Sequence, residues 1–257
     1  GFFLHVLISR FYGPKNYGIF ITCFLLCNIL QSVAALGLHK AGMRFIAIGH
    51  ERSDHHLILG TFRTVAWIPF LFGIIISIAI YRMSSFVAAT CFHNIEMVSV
   101  LKLFSVAIPF FALLQVTAEL SRGFKTTRYA VLFENLLLPS LQIVTLSGLY
   151  ALGCDSLSAV YSFLLAVFAC SLMMLWTVHK QIRNFIGPAE TDRLCMKRFI
   201  IARNWKSILA YSLPLTPFAL LFLGGNSMDI FMLNILTDSP GIGEYAAAAR
   251  WVSFFVM

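Results

Sequence analysis

The chain of 257 residues is 59% hydrophobic and 12% charged, with a mean hydropathy of +0.84 and a formal net charge of +8. That balance excludes a soluble globular domain, in which about 25% of residues carry charge. It also excludes an outer-membrane barrel, because the apolar runs are continuous where barrel strands alternate.

Spanning a hydrocarbon core takes about 20 apolar residues per helix, so an all-α polytopic membrane protein is expected. Apolar segments fall at 1–9, 17–38, 60–81, 100–119, 129–151, 156–178, 207–235 and 243–257. Residue 1 and residues 251–257 lie inside apolar runs, so the expectation is a chain cut at both ends, with six complete spans and two truncated ones. Three divisions follow: a first six-helix bundle over 1–178, a basic linker over 179–206, and the first two helices of a second bundle over 207–257.

The loops alternate sides, and their cations are unevenly shared. One side carries Lys40, Arg44, Arg52, Arg63, Arg122, Lys125, Arg128 and the seven Lys and Arg residues between 180 and 206. The other carries Arg10, Lys15, Arg82 and Lys102. By the positive-inside rule the first side is cytoplasmic, which places the N-terminus inside and makes the net charge a topological signal with no call for nucleic acid. In the linker, Gly187-Pro188 precedes an amphipathic basic piece, 196–206, suited to the membrane surface.

Several spans gather polar residues on one helical face: Asn28, Gln31 and Ser32; Ser105, Gln115, Glu119 and Arg122; Glu134, Asn135, Gln142 and Thr145. Such stripes either bond helix to helix or line a cavity. Glu119 and Glu134 flank the basic stretch Arg122 to Arg128, so local ion pairing is expected of both. The six cysteines show no metal-ligand spacing and read as small apolar packing residues.

Gly13-Pro14-Lys-Asn-Tyr-Gly18 is echoed by Ser239-Pro240-Gly-Ile-Gly243-Glu-Tyr245, one residue shorter, six spans later on the same side. An even number of intervening spans gives repeats of like orientation, related by an axis along the membrane normal. Before the second copy, Pro214 and Pro217 interrupt the seventh span and are candidate hinge residues. Asn226, Asp229 and Arg250 add polar groups to this apolar hairpin, whose turn is expected at 238–241. Asp229 and Arg250 each stand about ten residues from that turn, hence at about matching depth. They make either a structural ion pair or a functional one, in which the guanidinium receives an anionic group.

The stretch Arg10 to Phe20, Ser212-Leu-Pro-Leu-Thr216, Asp229 to Leu233 and Gly243 to Arg250 together resemble the polysaccharide-transporter, or O-antigen flippase, branch of the superfamily that also holds the multidrug exporters. The resemblance implies two similar bundles in the bacterial inner membrane that move a polyprenyl-diphosphate-linked oligosaccharide outward by alternating access. It implies a cationic cavity, to which Arg250, Arg10 and Arg44 are the candidate contributors, with Asp229 and Asn226 beside them. Glu134, Asn135, Gln142, Gln115, Asn28 and Gln31 are candidate cavity-lining or coupling residues. No enzyme activity, resident cofactor or metal is expected; H+ or Na+ is the candidate coupling ion. Membrane lipids and the polysaccharide polymerase machinery are the candidate partners. Within the same fold the rival is a cation-coupled drug exporter, for which Glu134 is the nearest acidic candidate. A membrane glycosyltransferase or polymerase fits less well, because the long loop lacks a His, Asp and Glu constellation.

Overall fold

A computed structural model of the chain describes residues 2–90, 92, 94–153, 157–187, 205–218, 221, 228–230, 232–233 and 239–256, with the side chains of 2 and 250–256 excluded. The described residues are helical with short connections: α1 Phe2–Ala35, α2 Leu38–Arg52, α3 His55–Thr90, α4 Met97–Gly123, α5 Thr127–Val131, a π-helical turn Leu132–Leu137, α6 Leu138–Ala151, α7 Ser158–Ile186, α8 Trp205–Ser212 and α9 Ser239–Val256.

Five helices among them are long and apolar enough to cross a membrane: Phe3–Ala35, His55–Thr90, Met97–Gly123, Thr127–Ala151 and Ser158–Ile186. The expected segments 60–81, 100–119 and 129–151 lie within three of them, and 156–178 overlaps the last. The first two expected segments instead share α1, with Gly13 as its one non-helical residue at φ 77° and ψ 168°. That conformation is close to glycine-only, and the residue before a proline is in any case driven out of the helical region. Pro14 then begins the second arm, where its fixed φ suits a helix start.

The bend at Gly13 is acute. On a straight helix, residues twelve apart stand about 18 Å apart along the axis. The Tyr17 hydroxyl nevertheless lies 3.2 Å from Nδ1 of His5, with the ring centroids 5.9 Å apart. The two arms are therefore folded against each other, and a seven-residue outer loop between them is replaced by a single glycine.

Connections gather at two ends, as alternation across a membrane requires. At one end Lys15 pairs with Glu96 at 2.7 Å, Tyr12 hydrogen-bonds Ser158 at 2.6 Å, and Phe11 stacks on Tyr150. At the basic end His50 stacks on Phe185, Lys125 pairs with Glu51, and the Gln181 amide donates to the hydroxyls of Ser121 and Thr126. Between them α4 is the central helix, packed on α1, α2, α3 and α7. Its Phe104 meets Phe20 and Phe163 at 5.5 and 5.3 Å in a core of offset and tilted rings. Cys23, Cys27 and Cys170 are free and buried in the apolar interior.

Helices α3 and α4 cross backbone to backbone. A Cβ on Gly73 would stand 2.7 Å from Cα of Pro109, so the two backbones touch with no side chain between them. Small residues permit this approach, and direct van der Waals packing then holds helices together in lipid.

Candidate functional site

The strongest polar cluster joins α2, α4 and the π-helical turn. Glu119, one turn before Arg122, receives the Arg122 guanidinium at 2.8 Å and the Lys40 ammonium at 2.7 Å on the same oxygen, Oε1. Arg122 also donates from Nη2 to Glu134 Oε2, so it bridges both carboxylates. The ion pairing expected of Glu119 and Glu134 is present, with Arg122 as the shared partner. Two cations and two anions balance, so the cluster has no residual positive charge to offer a diphosphate. Glu119 is 5% exposed and its Oε2 has no hydrogen-bond partner. Beside it His39 is also buried, with Nδ1 unpartnered. Burial, and then the Lys40 charge, pushes the His39 imidazole below its ordinary value of 6.5, while Glu119 acts in the opposite sense.

Further polar groups point into the bundle. Gln31 on α1 and Gln142 on α6 are buried, and Gln31 Oε1, Gln115 Oε1 and Gln142 Nε2 have no protein partner. Each such group in a low-dielectric interior is costly, so these three sites are where a polar ligand gains most. Asn28 is satisfied locally, donating to the Phe24 carbonyl at 2.9 Å. Asn135 departs from its expected place and is exposed. The reason is the π-helical turn, in which the Leu138 N–H reaches back five residues to Phe133. The wider turn leaves Asn135 outside, while Glu134, Gln142 and Thr145 stay buried or half-buried.

The expected cationic residues are dispersed. Arg10 is exposed near the bend of α1, whereas Arg44 lies at the basic end, its guanidinium 4.4 Å from the centre of the Tyr211 ring on α8. Asn226 and the side chain of Arg250 lie outside the described residues; the Arg250 backbone belongs to α9. Asp229 accepts a hydrogen bond from the Tyr245 hydroxyl at 2.9 Å. Asp229 and α9 are thus joined through Tyr245, five residues before Arg250. The expected turn at 238–241 is helical from Ser239 onward, with Pro240 in the first turn of α9. Chain direction changes after Ser212, at residues 213–214, and 215–218 are again helical, so Pro214 is at the break and Pro217 just beyond it.

The second part of the chain meets the first at two places. Near the bend of α1, a Cβ on Gly243 would enter the Pro14 carbonyl and stand 3.2 Å from the Gly18 nitrogen. The two copies of the repeated motif therefore touch each other, glycine to backbone. At the basic end, the positive-φ pair Leu36 and Gly37 abuts the break after Ser212, where a Cβ on Gly37 would stand 3.3 Å from Cβ of Leu215.

Helix α2 was hidden in a stretch read as a charged loop. Its buried face, Leu38, Ala41, Gly42, Ile46 and Gly49, has helical spacing that a period count finds, but its charges lowered the hydropathy below that of a span. Lys40 and His39 enter the cluster only because this helix lies on α4. Tyr245 stood out only as a member of the repeated motif, with nothing in the sequence to mark it as the partner of Asp229.

A profile described as polysaccharide biosynthesis protein matches residues 1–257. Comparisons with curated proteins and with solved structures found no match. With a match along its whole length, and helices long and apolar enough to span a membrane, the chain belongs to the polysaccharide biosynthesis family of membrane transporters and flippases.

Proposed function

We propose that this chain supplies the first bundle and the opening of the second in an exporter that carries a polyprenyl-diphosphate-linked oligosaccharide across the bacterial inner membrane by alternating access. The observation that carries the reading is the contact of Gly243 with Pro14 and Gly18. Two copies of one motif meeting backbone to backbone is the arrangement wanted at the closed mouth of two rocking halves. Its ready points of bending are Gly13 and the break before Pro214. In this reading the basic end is cytoplasmic and Arg250 is the first contact for the diphosphate. Gln31, Gln115 and Gln142 bond sugar hydroxyls, H+ or Na+ drives the cycle, and the polymerase machinery takes the product. The pairing of Glu134 with Arg122 favours this reading over a drug exporter that would use Glu134 as its coupling acid.

The test is removal of the full-length protein from its host. Lipid-linked intermediates should then build up on the inner leaflet, and Arg250→Ala should reproduce this with normal membrane insertion. Normal surface polysaccharide in that variant sinks the role of Arg250. Unchanged glycans together with altered drug sensitivity would turn the reading toward the drug exporter.

A further inference from the structure

Helices α3 and α7 both pack on α4 but scarcely on each other, which leaves a lipid-side groove with α4 as its floor. Its apolar part is a cavity of about 510 Å3 lined by Trp67, Phe70, Phe110, Leu113 and Leu172 among others. That volume lies within the range of about 300–1,000 Å3 typical of small-ligand clefts. Toward the basic end the groove continues, through the shared residues Trp176 and His179, into a second cavity of about 590 Å3. This one is lined by Lys180, Arg183, Asn184 and Gly187. Arg63 of α3 lines the apolar part, and among the described residues no carboxylate lines either part.

The change from apolar to basic follows from the spacing on α7. Leu172, Trp176, His179, Lys180 and Arg183 recur at three- and four-residue steps and so share one face. From Leu172 to Arg183 the helix rises about 16 Å, close to half of a hydrocarbon core about 30 Å thick. Trp176 lies between the two zones, exposed, with the Lys180 ammonium 5.2 Å from its ring centre. An aromatic belt residue beneath a cationic rim marks the interface of one leaflet.

We propose that this groove is a binding site for one anionic phospholipid, with an acyl chain along Trp67, Phe70, Phe110 and Leu172 and the phosphate on Lys180, Arg183 and the His179 imidazole. Charge complementarity selects the occupant. A zwitterionic lipid would satisfy the apolar part equally but bring a like charge to the rim, and a free phosphate would leave the apolar part unfilled. Basic pockets between transmembrane helices on the cytoplasmic side take anionic headgroups for this reason. The site lies on the lipid side of the bundle, away from the contacts of α1 with α9 and of α2 with α8, so it regulates or anchors the first bundle and does not carry cargo.

The test uses the purified full-length protein, delipidated in detergent and titrated with dioleoyl phosphatidylglycerol or dioleoyl phosphatidylcholine, with bound lipid counted by native mass spectrometry. One phosphatidylglycerol per chain should be retained. Lys180→Gln with Arg183→Gln, both at exposed positions, should weaken it on the order of 10- to 30-fold while leaving phosphatidylcholine unchanged. Leu172→Trp, which narrows the apolar part from an exposed position, should also lower retention with the cations intact. Lys15→Gln with Arg82→Gln, at the opposite end, should have no effect. Equal retention of the two lipids, or undiminished phosphatidylglycerol binding in the Lys180 and Arg183 variant, overturns the proposal. So does glycerol 3-phosphate binding as tightly as the whole lipid, or a cross-link showing that residues 188–204 fill the groove.

Discussion

Gly243 of α9 lies directly on the backbone of Pro14 of α1, so close that a Cβ at 243 would stand 2.9 Å from the Pro14 carbonyl carbon. The obstacle is main chain, which cannot rotate aside. Gly243→Ala must therefore part the two helices, and overpacking of this kind typically costs about 1–3 kcal/mol. The expected outcome is loss of surface polysaccharide with normal membrane insertion, scored by glycan blotting and membrane fractionation. Full export by Gly243→Ala would show that the closed contact is dispensable.

Gly13→Ala provides the opposite case. A Cβ at 13 meets nothing within 4 Å, so any effect is conformational. Holding alanine at φ 77° and ψ 168° costs on the order of 1–3 kcal/mol. The variant should unfold at a lower temperature in detergent, while Gly148→Ala, equally open but inside α6 with no positive φ, should not. Equal melting of both variants would mean that the bend does not depend on glycine.

Arg122 is the bridge of the charged cluster, and its loss leaves two carboxylates facing a single, half-exposed Lys40. Removing one partner of a buried ion pair typically costs about 3–5 kcal/mol. Arg122→Ala should therefore lower the melting temperature clearly more than Lys40→Ala, whose ammonium is half in solvent already. The reverse ranking would place the weight of the cluster on α2.

His39 gives the cluster a pH dependence. Burial lowers its pKa in the folded protein, so below the ordinary value of 6.5 the unfolded chain binds more protons than the folded one. The contribution is complete above pH 6.5 and is lost as the pH falls from there toward the lowered folded value. Lys40 deepens the effect and Glu119 opposes it. Thermal melting of His39→Gln should show a shallower loss of stability between pH 6.5 and 5 than the parent; identical slopes would assign that dependence to other groups.

Much of the architecture is written in hydropathy alone. Segments 60–81, 100–119 and 129–151 are apolar over a bilayer's thickness, and lipid leaves the helix as the only economical form for them. The flanking of Arg122 by two glutamates likewise announced their pairing. What escaped is what depends on contacts between distant residues. The acute bend at Gly13 is set by Tyr17 against His5, and α2 by its seat on α4. The exposed Asn135 follows from a π-helical turn that no period of 3.6 anticipates. The depth of Asp229 was judged from a turn whose residues prove to be helical from Ser239 onward. In the candidate site, the orphaned amides of Gln31, Gln115 and Gln142 were recognisable as polar, but only packing distinguishes them from the locally satisfied Asn28.

The meeting of Gly73 with Pro109 has a mechanical consequence. Two helices whose backbones touch at mid-length act as a riveted pair of struts: they can tilt together, but neither can slide past the other without lifting off. Any large displacement between inward and outward forms is thereby excluded from the α3 and α4 crossing and concentrated where the chain has already given up its helical hydrogen bonds, at Gly13, at Leu36 and Gly37, and after Ser212. Spin labels on α3 and α4 should keep one fixed separation through the whole transport cycle, while labels on either side of those breaks swing.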